Sequence, residues 1–134
     1  MNEHLNQAEH NADFLEALDK QFPKLYFDWK ITVVFYIAVH YLRAYEHFNG
    51  VKIKGRHVEM LYHSDPSKPD ALNPLSKRAF DAYADLFNAA HKSRYQGFGS
   101  KAFHMTLLEY DYKLCLKNLE IIRNYLHSKG LNLA

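Results

Sequence analysis

Apolar residues recur at three- and four-residue intervals along most of the chain, and no alternating run bounded by turn residues interrupts them. The period predicts a first helix over about Asn2–Gln21, with Leu5, Ala8, Ala12, Leu15, Leu18 and Phe22 as its core stripe and Pro23 ending it. Asp28 is positioned to cap a second helix that continues to about Asn49, where Gly50 supplies a left-handed C-terminal cap. That helix is apolar almost all round from Ile31 to Leu42, which makes it the central element of the fold.

A short third helix is predicted from about Arg56 to Tyr62, followed by a loop over "SDPSKPDALNP". Asn73 and Pro74 read as the cap and first turn of a fourth helix, with Phe80, Tyr83, Phe87 and Ala90 on one face. The fifth, about Ala102–Ser128, spaces Leu108, Tyr112, Cys115, Leu119, Ile122 and Leu126 as a packing seam. The sum is an all-α, up-and-down bundle of four long helices plus one short helix, with residues 1–134 as a single domain.

Composition agrees with a packed globule: 48% of the residues are apolar, with ten Tyr and nine Phe. The single cysteine, Cys115, forms no internal disulfide, which points to a reducing compartment. The chain opens without the basic start and apolar stretch of a signal peptide. The longest apolar run, "ITVVFYIAVHYL", is shorter than the about 20 residues a membrane span needs. A cytoplasmic protein without a membrane partner is the expectation. A net charge of +2 permits a nucleic-acid partner without indicating one. Nine histidines are the unusual count, and their protons move near neutral pH.

Those histidines change the picture of the second helix. Thr32, Tyr36, His40, Arg43 and His47 follow one another by four, four, three and four, so they fall on one edge of an otherwise apolar helix. On the third helix Arg56, Met60 and His63 share a face with His57 beside them, and the fourth ends in His91, Arg94 and Tyr95. Three helices therefore bring histidine and arginine toward one region. Such a set can hold a phosphate through arginine or move a proton through histidine. A core histidine with both nitrogens bonded, or a polar seam facing a partner subunit, accounts for the same stripe. No thiol or carboxylate stands at metal-ligand spacing and no His-Glu-x-x-His occurs, so no metal and no cofactor are expected.

The blocks "DWKITVVFYIAVHYLRAYEHFNG", "RHVEML" and "YADLFNAAHKSRYQG", in that order, resemble a bacterial branch of the HEPN-like helical domains. The matching positions are Trp29, Phe35, Tyr36, Ala38, His40, His57, Ser93, Arg94 and Tyr95, within about Asp28–Gly97. The resemblance implies a homodimer working in a bacterial defence, toxin–antitoxin or stress system. It also implies RNA, a nucleotide or a protein encoded nearby as partner.

Active members of that family are metal-independent ribonucleases whose signature is Arg, four to six residues, then His, set late in the chain. Arg56 and His63 match the spacing, but about one such match is expected by chance in a chain this rich in histidine. In the late region Arg94 and His104 are too far apart for it. The expectation is therefore a divergent, non-catalytic module whose ligand-binding residues are His40, His57, Arg94, Tyr36, Arg43, His47 and Tyr95. The alternatives are a ribonuclease acting through Arg56 and His63, or through His40, His57 and Arg94, and a bundle binding a small ligand or metal.

Overall fold

The computed structural model contains helices α1 (Glu3–Gln21), α2 (Phe27–Phe48), α3 (His57–Ser64), α4 (Lys77–Tyr95) and α5 (Lys101–Ser128). It describes the backbone of residues 3–95 and 101–133 and the side chains of residues 3–93 and 108–133. Among the described residues there is no strand, and no helix is long and apolar enough to cross a membrane. Four long helices and one short one form the expected all-α bundle.

The central position of α2 follows from its sequence. Ile31, Val34, Phe35, Ile37, Ala38, Leu42 and Ala44 are all buried, and α2 packs against α1, α4 and α5. The α5 seam is inward too: Leu108, Tyr112, Cys115, Ile122 and Leu126 are buried, and Leu119 packs partly buried against them. On α4, Ala79, Ala82, Tyr83, Leu86 and Ala90 complete the core. The small alanines let α4 lie close to α2 and α5. Burial pushes the Cys115 thiol up to about 12, so it stays protonated and serves as packing.

Two helix starts differ from the sequence reading. Helix α2 begins at Phe27, and its N-terminal flank is Tyr26 in the left-handed region (φ 62°). Asp28 lies inside the first turn, where its carbonyl accepts the Thr32 hydroxyl at 3.1 Å. Helix α4 begins at Lys77, later than Asn73–Pro74 suggested. The Asn73 carbonyl oxygen of the side chain is taken by the Asn49 amide at 2.7 Å, so it cannot cap a helix. Ser76 caps instead, its hydroxyl accepting the Ala79 N–H at 3.2 Å.

An unforeseen polar knot joins α1, α2 and α5. Lys30 is wholly buried, and its ammonium lies 3.1 Å from an Asp19 carboxylate oxygen while donating to the Phe22 carbonyl. The faces of Phe27 and Tyr112 cover it at 4.7 and 5.7 Å. The Tyr112 hydroxyl donates to the other Asp19 oxygen at 2.6 Å. Burial, then that hydrogen bond, raises the Tyr112 pKa well above the usual phenol range. Phe22 lies just past the end of α1, so the lysine also satisfies a carbonyl that the helix leaves open.

Candidate functional site

The polar edge of α2 exists, and the structure sorts its members into two kinds. Arg43 is committed to the fold. Its guanidinium donates to both Glu46 oxygens at 3.1 and 3.2 Å and to the Ile53 carbonyl at 2.7 Å. Glu46, buried, accepts the Ile53 N–H at 3.0 Å. Together the two side chains clamp the connection between α2 and α3 onto the bundle. Tyr83 on α4 is fully buried against the Phe35 ring, and its hydroxyl has no hydrogen-bond partner among the described residues. Burial raises its pKa, so it remains a neutral phenol.

His40 belongs to the second kind. It is half-buried, and its Nδ1 lies 3.0 Å from the Nδ1 of His4 in the first turn of α1, with the two rings stacked 5.2 Å apart. One nitrogen donates and the other accepts, so the pair holds one proton between them. Burial lowers the His40 pKa, and the neighbouring His4, Arg43 and His57 lower it further. His40 is therefore neutral at pH 7.

His57, the first residue of α3, sets its ring edge-on against Phe35 at 5.3 Å and Tyr36 at 5.5 Å. It lines a cleft of about 220 Å³ with Phe35, Arg56, Val58, Phe87 and His91. The cleft is smaller than the about 300–1,000 Å³ of drug-sized sites, so it suits one planar ring or one phosphate group. A second cavity, about 500 Å³, is lined by His4, Arg43, Glu46, His47, Val51, Lys52 and Ile53. His40 connects the two, bonded to His4 of the larger cavity and within electrostatic reach of His57 in the smaller. Two further cavities, between α4 and α5, contain no histidine.

The expected site residues thus divide. His40, His57 and Tyr36 come together, and His47 lines the adjoining cavity. Arg43 is used by Glu46 and Ile53. The side chains of Arg94 and Tyr95, in the last turn of α4, lie outside the described residues. Arg56 is exposed and flanks the start of α3, where the Glu59 carboxylate accepts its backbone N–H at 2.8 Å. His63 stands at the other end of the helix, roughly 10 Å away along the axis, and its Nδ1 accepts the Leu72 N–H at 3.3 Å. Met60, placed on the same face in the sequence reading, points into the core instead.

His4 and His91 are the residues the sequence reading underused. His4 falls on the inward stripe of the first helix, one residue before Leu5, and that register is the signal that could have drawn attention to it. Among the described residues no group of three or more His, Cys, Asp or Glu side chains is arranged to hold a metal ion.

Comparison with family models, with curated proteins and with solved structures finds no match to this chain.

Proposed function

We propose that the protein is a HEPN-like, non-catalytic module that dimerises and binds RNA or a nucleotide along the histidine edge of α2, in a bacterial defence, toxin–antitoxin or stress system. The observation that carries the binding is the cleft of Phe35, Arg56, His57, Val58, Phe87 and His91. The partly exposed rings of Phe87 and His57 offer a base a stacking surface, and Arg56 at the rim offers its phosphate a cation. Lys52 and Lys54, both exposed on the connection that leads into α3, extend the positive charge. The absence of turnover follows from how the reactive groups are spent. His40 shares its proton with His4, Arg43 is bound by Glu46, and Arg56 and His63 stand at opposite ends of α3.

The test is fluorescence anisotropy with a labelled single-stranded RNA of 12 nucleotides at two salt concentrations. Arg56→Ala and His57→Ala are expected to weaken binding about tenfold each, equal to about 1.4 kcal/mol, and affinity falls as salt rises. Wild-type protein that binds neither RNA nor nucleotides under low salt refutes the reading. A ribonuclease reading has one observation in its favour: His40 is neutral near pH 7 and so can accept a proton. It requires RNA cleavage in EDTA that His40→Ala abolishes.

A further inference from the structure

We propose that the larger cavity is a second anion site, which takes the phosphate group of a small phosphomonoester through Arg43, Lys52 and His47. The cavity is about 500 Å³, within the range of small-molecule sites, and it shares no lining residue with the His57 cleft. The site goes beyond the RNA-binding reading and does not rest on it. The starting observation is how little of Arg43 the fold uses. Its hydrogen bonds, two to Glu46 and one to the Ile53 carbonyl, all leave from Nη1, and Nη2 and Nε make none among the described residues. The Tyr83 hydroxyl is the one buried side-chain nitrogen or oxygen without a partner among the described residues, so these two nitrogens of Arg43 are open to solvent. Arg43 lines the cavity, and its anchored Nη1 holds the rest of the planar fork in a fixed place.

The other donors stand around that fork. His47, one turn beyond Arg43 on α2, is exposed and brings a ring N–H from the same edge. Lys52 comes from the connection between α2 and α3, is exposed, and makes no ion pair among the described residues. His4 forms part of the wall and is bonded to His40, so no donor is drawn from it. Glu46 is the carboxylate of the lining, and its charge is met within the wall. Its Oε1 accepts from Arg43 and from the Ile53 N–H, and its Oε2 accepts from Arg43. With that pair neutral, Lys52 leaves the lining net positive. A carboxylate has two oxygens and is filled by the fork alone, whereas a phosphomonoester has three terminal oxygens to share among a fork, an ammonium and an imidazole. Val51 and Ile53 add apolar surface for the body that carries the phosphate.

The experiment is an NMR titration of the full chain with inorganic phosphate, then with glycerol 3-phosphate and acetate, at constant pH and ionic strength. It follows the side-chain Nε–H signal of Arg43 and the ring signals of His47. Phosphate is expected to move both and to saturate with a Kd on the order of 1 mM, with acetate about tenfold weaker. Glycerol 3-phosphate should bind at least as tightly as inorganic phosphate, because its body meets the apolar surface. Lys52→Glu should weaken phosphate about tenfold. Circular dichroism should show that variant folded, since the Ile53 backbone and not the Lys52 side chain anchors the segment. His47→Ala should weaken it by a smaller factor, and Arg56→Ala, in the other cleft, should leave it unchanged. An Arg43 signal unmoved at about 20 mM phosphate, where a site of that strength is nearly filled, overturns the proposal. Acetate bound as tightly as phosphate overturns it too, as does a Kd unchanged in both Lys52→Glu and His47→Ala. None of these probes is RNA, so the site can fail while the RNA-binding reading stands, and the reverse.

Discussion

Helix α2 carries two charged regions built on opposite rules. Near its start Lys30 is buried completely, yet its ammonium meets a carboxylate, a carbonyl and two aromatic faces. Toward its middle and end, His40 is only half-buried and is surrounded by His4, Arg43 and His57. The first region satisfies a cation so fully that nothing is left for a ligand. The second gathers protonatable and cationic groups around a half-buried imidazole at the edge of two clefts. Burial alone therefore does not mark a functional site here, and the local balance of charge is the better guide.

The largest expected effect tests the first region. Lys30→Ala removes a partner from Asp19 and opens a cavity, and should cost about 2–4 kcal/mol in urea unfolding, discounted because Asp19 is partly exposed. Lys30→Met keeps the volume and should cost less than half as much. Equal losses in the two variants would mean that the ion pair itself contributes most of the stability. Neither variant is expected to alter RNA binding, since the knot lies away from the histidine cleft.

A smaller effect tests the second region through pH. The folded-state pKa of His40 is lowered, so the unfolded chain binds more protons than the native one below about 6.5. Stability is then fully present above pH 6.5 and falls as the pH drops through that value. Urea midpoints measured between pH 5 and 8 should show this fall, and His40→Phe should flatten it. The smallest effect belongs to the junction between the regions. Tyr83→Phe deletes a buried hydroxyl that has no partner, so it should be neutral or stabilise by up to about 1 kcal/mol. A loss greater than 1 kcal/mol would show that the hydroxyl is hydrogen-bonded in solution, most simply to a water.

Much of the fold was legible because periodicity is a local property. The stripes on the first and fifth helices and the all-round apolarity of the second placed the core within a turn or so. Helix starts were less legible, since Asn73 has the side chain of a cap but spends it on Asn49 across the fold. The polar edge of α2 was legible as a pattern, and its division was not. Nothing in the spacing of Arg43 and Glu46 says that both will close on Ile53. The Lys30 knot was invisible for a related reason. Asp19, Lys30 and Tyr112 stand far apart in sequence, and a lone lysine near a helix start ordinarily faces water. The His4–His40 contact likewise joins residues 36 apart, and only antiparallel packing of α1 on α2 brings them together.

The clamp on Ile53 has a consequence for the entropy of binding. By donating to the Ile53 carbonyl and accepting its N–H, Arg43 and Glu46 do for this segment what a neighbouring β-strand would. Ile53 is held inward while Lys52 and Lys54 on either side are exposed, so the two lysines leave the chain on the side away from the core. Ordering a free backbone residue costs roughly 1–2 kcal/mol, and here that cost is met during folding. A ligand reaching these lysines would find the loop already in place and would have to still only their side chains.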